Sequence, residues 1–242
     1  MILSASLPRR VEAELLDDLP AGDPRAQRSR DDLRRLHRAM GTLSIAIRAL
    51  DSVSKNLPPR NILELGAGDG SMMLRLAQRR AARWPGVKVT LLDRLDLVQP
   101  STLNDLKEEG WAADVVSMDV FEWLARPSIA RWDIIFANLF MHHFSPDALD
   151  RLLLMIAARS RVFFCCEPRR SALPLAASHL VGLLGAGPVT RTDAVLSVHA
   201  GFAGQELSAR WPDRQAWRLR EYRAGLFSHG FLAVRERERE RT

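Results

Sequence analysis

Residues 62 to 71 read Ile-Leu-Glu-Leu-Gly-Ala-Gly-Asp-Gly-Ser, an apolar run passing straight into glycines at every second position. Gly66, Gly68 and Gly70 can take the left-handed backbone region and let the main chain approach a ligand closely, which a residue with a Cβ does only at a cost. About twenty residues on, the apolar run Val87 to Leu92 ends in Asp93; in open α/β sheets the ligand lies outside the carboxyl ends of the strands, where a carboxylate can accept both hydroxyl protons of a ribose. A third run, Asp114 to Met118, ends at Asp119-Val120, from which a carboxylate can meet an exocyclic amine while a main-chain amide meets a ring nitrogen. A ribose and an aminated ring together make a nucleoside. Each group also has a plainer role open to it: the glycines as a tight turn, Asp93 and Asp119 as caps of the helices that follow.

A dinucleotide fingerprint calls for Gly or Ala at position 71, where this chain has Ser, so the Gly-x-Gly-x-Gly spacing favours S-adenosylmethionine over a nicotinamide cofactor. Taken in order, the landmarks resemble the class I S-adenosylmethionine-dependent methyltransferase family over roughly residues 60 to 170. The run Trp132 to Phe144, which ends Met-His-His-Phe, looks like the fourth strand and following loop of the small-molecule branch that includes quinone and polyketide methyltransferases. The resemblance implies an α/β, Rossmann-like, doubly wound, seven-stranded and mostly parallel sheet with a carboxyl-terminal antiparallel hairpin and an amino-terminal helical cap. It implies S-adenosyl-L-methionine as cofactor, with Glu64, Gly66, Ala67, Gly68 and Gly70 around the methionine moiety and Asn138 at the end of the fourth strand. Asp93 and its neighbour Arg94 fall to the ribose, Asp119 and Val120 to adenine.

Composition narrows the class. The 242 residues are 47% apolar, enough for one large α/β domain without disulfide staples. Cys165 and Cys166 are neighbours in an apolar run, so on a strand they point to opposite faces. A reducing cytoplasm is the natural compartment; Met1 to Asp18 lacks an apolar core of signal-peptide length, and no stretch approaches a membrane span. The net charge of +6 is spread in mixed-sign runs such as 235 to 241, a weak footprint for nucleic acid. Enzymes that methylate DNA amino groups resemble one another in an Asn/Asp-Pro-Pro-aromatic motif, whereas this chain has Asn138-Leu139-Phe140; the Pro-Cys nucleophile of cytosine-C5 enzymes is also missing from that loop. Ser71 and the lack of a Tyr-x-x-x-Lys pair speak against a nicotinamide oxidoreductase. A silent binding protein that keeps the fold stays open. The expected partner is a small molecule, with the chain a monomer or homodimer.

The elements that must position these groups follow from periodicity. Residues 1 to about 28 form a turn-rich leader, and Leu33, Leu36, Met40, Leu43, Ile47 and Leu50 make one apolar stripe that predicts a helix over 31 to 54. Pro58-Pro59 ends it, dividing a cap of residues 1–57 from a catalytic region of 58–242. Helices are predicted over 72–84 and 147–159, the second opened by Ser145-Pro146. A substrate-side insertion is expected at about 171–212, with an apolar helix near 173–184 and a stretch of no clean period from 192 to 211. Runs 216–221 and 227–234 suggest the terminal hairpin.

Methyl transfer from a sulfonium needs in-line alignment more than acid, metal or covalent help. A phenol or enol acceptor must still lose its proton, and an imidazole suits that task. His143 and His142 are the catalytic candidates by order of elements, with His199 and His229 further along. Met40, Arg169 and His199 are the expected substrate contacts. Oxygen is the first expected acceptor atom and ring carbon the second. No set of metal ligands with a recognised spacing is visible, so no metal is expected.

Overall fold

Strand β1 (Asn61–Leu65) lies at the middle of a seven-stranded sheet with the order β3-β2-β1-β4-β5-β7-β6. The computed structural model describes residues 7–54, 58–127 and 131–236. Before the sheet come α1 (Leu15–Asp18), α2 (Pro24–Met40) and α3 (Thr42–Asp51). The first half then alternates α4 (Ser71–Arg80), β2 (Lys88–Asp93), α5 (Pro100–Glu108), β3 (Ala112–Ser117), α6 (Val120–Ala125) and β4 (Trp132–Asn138). After α7 (Pro146–Arg159) and β5 (Ser160–Pro168) the chain inserts α8 (Ala172–Leu180), α9 (Pro188–Ala200) and α10 (Glu206–Arg210), then closes with β6 (Trp217–Ala224) and β7 (Ser228–Arg235). Strands β1 to β5 are parallel, and β7 runs antiparallel between β5 and β6. Strand order reverses between β1 and β4, the switch point where such sheets open a crevice.

Both faces are covered. On one, Ile62, Val89, Phe136 and Phe164 pack with Leu50, Met73, Leu76 and Leu106 of the helices. On the other, Leu63, Ile135, Phe163 and Phe231 meet Leu124, Leu152, Ile156 and Trp211. Cys166 joins the first core and Cys165 the second, as strand alternation requires. Burial drives both thiols up, Cys166 to about 12, so they stay protonated and inert.

The amino-terminal helix departs from the pattern expected of it. It begins at Pro24, capped by the Asp23 carboxylate on the Arg25 amide at 2.8 Å, so the leader expected to reach residue 28 ends inside α2. It then breaks at Gly41, whose φ of 67° stops α2 and starts α3 in a new direction. The predicted stripe is therefore divided: Leu33, Leu36 and Met40 face a cavity above the sheet, whereas Leu43, Ile47 and Leu50 pack into the sheet core. A periodicity count cannot see this, because a helix ended by a left-handed glycine keeps the same residue types on either side. The boundary expected at residue 57 lies outside the described residues. The aperiodic stretch 192–211 is largely α9 and α10, helices buried on several sides that show no single apolar stripe.

A Cβ at Gly41 would meet nothing within 4 Å, so Gly41→Ala tests backbone strain alone. Urea denaturation should show a loss of about 1 kcal/mol; an unchanged midpoint would mean that the kink is not fixed by a left-handed residue.

Candidate functional site

The glycine loop after β1 is wound through three left-handed residues, with φ of 68°, 55° and 73° at Gly66, Gly68 and Gly70. At Gly66 side chains are excluded twice over, since a Cβ there would stand 2.4 Å from the Phe140 ring. The loop is pinned from β2: the Asp93 carboxylate accepts the Gly68 amide at 2.8 Å and the Leu95 amide at 3.0 Å. Asp69 accepts the Ser71 amide at 3.0 Å and is paired with Arg34 of α2 at 2.5 Å, which ties the covering helix to the loop.

Above this loop lies a cavity of about 440 Å³. Its floor is Glu64, Gly66, Ala67, Gly68, Asp93 and Asn138, and its roof carries Leu33, Leu36, His37 and Met40 from α2 with Ala177, Val181, Ala194 and Val198 from the inserted helices. Two polar atoms of the floor, Glu64 Oε2 and Asn138 Oδ1, are buried with no hydrogen-bond partner. Burial, with Asp69 and Asp93 adding to it, pushes the Glu64 carboxyl well above its ordinary 4.5. Leu139, next in the chain, is held at a φ of 55°, a left-handed conformation unfavourable for leucine.

The histidines divide by environment. His142 is buried on a 3₁₀ turn, Met141–His143, between the Glu167 carboxylate at 2.8 Å from Nδ1 and the Glu14 carboxylate at 3.4 Å from Nε2. Burial opposes charge on this ring, yet the two carboxylates outweigh it and raise its pKa to about 9. A ring so raised holds its proton at neutral pH, which argues against a general-base role. His143 keeps that candidacy: it lines the cavity and its Nδ1 is 3.4 Å from Asp17. His37 was missed in the sequence, yet its ring lines the cavity with no hydrogen bond, and burial and then Arg75 lower its pKa to about 4, leaving it neutral.

Other candidates fall elsewhere. Asp119 caps α6 by accepting the Phe121 amide at 2.8 Å, Val120 is buried in the second core, and neither lines the cavity. The plainer capping role fits that acid. Arg94 is exposed, 3.8 Å from Asp17, and is not part of the wall. Arg169 donates to Ser171 Oγ at 3.1 Å beside the hairpin turn, and His199 lies on α9 outside the lining residues. His229 is sealed against Glu221 at 2.7 Å, away from the cavity. Of the expected substrate contacts only Met40 lines the cavity.

Glu14 is the least legible member of the site. It arrives from the leader, 128 residues from His142, where its carboxylate also takes the Ser197 hydroxyl. Burial is the largest single influence and pushes Glu14 up, but the contacts with His142, the nearby His143 and the Ser197 hydroxyl together outweigh it, and the net shift is downward. One ligand atom from each of Glu14, His142 and His143 lies within 4.8 Å of the others. Spacing along the chain brings no such trio together; folding does, by carrying Glu14 to the neighbouring pair His142 and His143.

No family model matches the chain, and no curated protein matches it by sequence. Solved structures do match by shape. The plantazolicin methyltransferase BpumL in complex with SAH superposes with a TM-score of 0.63 at 12% identity, over 89% of this chain and 92% of that one. An O-methyltransferase family protein from Burkholderia thailandensis gives 0.60 at 13% identity over 90% of this chain and 62% of its own. Magnesium protoporphyrin IX methyltransferase (ChlM) from Synechocystis PCC 6803, with bound SAH, gives 0.54 at 16%, over 85% of this chain and 94% of its own. The chain has the Rossmann-like fold of class I S-adenosylmethionine-dependent methyltransferases.

The Glu167 carboxylate accepts the amides of Phe140, Met141 and His142 at 3.2, 3.0 and 3.3 Å as well as the His142 ring. Glu167→Ala strands those donors and leaves His142 with the distant Glu14 alone. Chemical denaturation should show a loss of about 3–5 kcal/mol; a loss below about 1 kcal/mol would remove Glu167 as the holder of this loop.

Proposed function

We propose that this chain is a methyltransferase that takes its methyl group from S-adenosyl-L-methionine and gives it to a small, partly apolar metabolite, first of all to oxygen. The observation that carries the reading is the pair of unpartnered acceptors, Glu64 Oε2 and Asn138 Oδ1, buried in a cavity wall beside the left-handed glycine loop. A buried carboxyl with no donor calls for a positively charged or donor-rich ligand. When bound, S-adenosylmethionine supplies an electrophilic methyl on a positively charged sulfur. Glu64 and Asn138 would accept from its cationic methionine end, the backbone of Gly66 to Gly68 would lie against it, and Asp93 would hold the ribose. Leu95 and Leu97, which line the cavity, are offered for the adenine in place of Asp119 and Val120.

The acceptor's place is read from the roof. Leu33, Leu36, Met40, Val181 and Val198 make it apolar, and Leu184, at once a lining residue and 73% exposed, marks its mouth. We infer that residues 1–57 and the insertion at about 171–212 together form the cap over this chamber, excluding water from the methyl group. Proton removal from an oxygen acceptor falls to an imidazole lining the chamber, His143 with Asp17 behind it or the neutral His37. Methylation of ring carbon would use the same chamber. The compartment proposed is the cytoplasm, in line with two buried unbridged cysteines and with no helix, among the described residues, long and apolar enough to cross a membrane.

Two measurements test the reading. Asp93→Ala should weaken S-adenosylhomocysteine binding about ten- to a hundredfold by calorimetry, the effect of losing a charged acceptor; unchanged affinity in the folded variant would refute the ribose assignment. The second is pH dependence. Because Glu64 is held neutral by burial, a cation beside it must first ionise it, so affinity should climb as pH rises above the ordinary carboxylate value of 4.5, by up to about tenfold per unit, until Glu64 has ionised. In the ligand-free protein the sign is opposite: a raised folded pKa makes stability fall as pH climbs past 4.5, where the unfolded carboxyl ionises first. Glu64→Gln should flatten the affinity profile and lower its plateau. A wild-type profile already flat from pH 5 to 8 would contradict a role for Glu64 with a cation.

A further inference from the structure

We propose that Glu14, His142 and His143 form a binding site for a divalent first-row transition ion of the zinc type, set in the wall of the acceptor chamber. One ligand atom from each residue lies within 4.8 Å of the others, and all three residues line the cavity. The imidazoles are already arranged as metal ligands are. His142 has Nδ1 engaged by Glu167 at 2.8 Å, and His143 has Nδ1 facing Asp17 at 3.4 Å, which turns His142 Nε2 toward Glu14 and leaves His143 Nε2 as the other nitrogen. A carboxylate behind each histidine fixes the tautomer and raises the basicity of the ligating nitrogen. His142 Nε2 stands 3.4 Å from Glu14 Oε1, which is long for a hydrogen bond but near the ~3.3 Å edge of a tetrahedron with ~2.0 Å bonds.

The donor set selects the ion. Two imidazoles and a carboxylate suit zinc, iron or cobalt rather than magnesium or calcium, which prefer oxygen shells. Three protein ligands leave a fourth position open toward the chamber. His143, 28% exposed on its turn, has the freedom to close the remaining gap.

The inference rests on the methyltransferase reading for its role. An acceptor hydroxyl at the open position would release its proton to solvent or to His37 at lower pH; the oxyanion would then form the O–CH₃ bond as the C–S bond breaks and its electron pair returns to sulfur. His143 would serve as ligand instead of base.

The test uses the full-length untagged protein, dialysed against a chelator and titrated with Zn²⁺ by calorimetry and with Co²⁺ by visible absorption. One ion per chain is expected, with ligand-field bands for cobalt. Glu14→Gln and His143→Ala, each checked for folding by circular dichroism, should bind at least tenfold more weakly. No binding by the wild type, or binding as tight in both folded variants as in the wild type, would overturn the site and leave the cluster as a proton-held network of charges. S-adenosylhomocysteine binding, measured on the same wild-type sample, keeps the two readings apart: its presence without Zn²⁺ binding sinks only the metal site, and its absence beside Zn²⁺ binding sinks only the methyltransferase.

Discussion

A single carboxylate at the end of the fifth strand sets the shape of the site. Glu167 has no exposed surface, and burying a charge so completely costs several kcal/mol unless every lone pair is used. It is used fully: three consecutive amides and the His142 ring converge on its two oxygens. Those amides can converge only if the chain turns sharply after β4, and the turn is taken at Leu139 in a left-handed conformation worth about 1–2 kcal/mol of strain. The strained turn lowers Phe140 against the loop after β1, where only a glycine at position 66 leaves room for it. Asn138, Gly66 and His142 are thus placed by one constraint, and the glycine loop answers to the fifth strand as much as to its own.

The same economy of carboxylates joins the cap to the sheet. Asp193 of α9 accepts the Leu15 and Leu16 amides at 2.8 and 3.0 Å, and buried Asp32 of α2 accepts the Gly187 amide at 2.7 Å and the Thr190 hydroxyl at 3.0 Å. Arg9 reaches from the leader to the carbonyls of His142, Phe144 and Ala200. Leader, α2 and α9 therefore behave as one layer over the cavity. Apolar contact alone would let such a layer slide; satisfied buried charges fix its register, because any shift leaves one of them unpaired. The exposed end is held more weakly, by the half-exposed Arg34–Asp69 pair, whose strength is limited by solvent.

What was legible in the sequence is what depends on neighbours along the chain. The strands, the glycine loop and Asp93 announce themselves through local alternation, φ requirements and strand ends. Helix α7 likewise shows its Ser145 cap and first-turn Pro146. What was not legible depends on partners far away. Glu14 and Glu167 acquire their roles only when folding brings them to His142, Glu14 from 128 residues before it and Glu167 from the end of the next strand, 25 residues after it. His37 lies inside the helix expected over 31 to 54 and was not singled out there, because the break at Gly41 that turns α2 over the cavity leaves no mark in periodicity. Asp119 was ambiguous along the chain: the same position after a strand serves equally to cap a helix or to meet a base, and the cap is the contact its side chain makes.

The floor of the cavity carries an unresolved charge that orders the remaining chemistry. Glu64, Asp69 and Asp93 lie close enough that the last two help keep the first protonated, while Asp69 is neutralised by Arg34 and Asp93 is spread over two amides. Only Glu64 is left with an oxygen that nothing satisfies. A positive charge arriving there would be held by a carboxylate in a low-dielectric wall, where attraction is several times stronger than in water. Glu64 is therefore the carboxyl of this trio that the fold leaves for a ligand to satisfy.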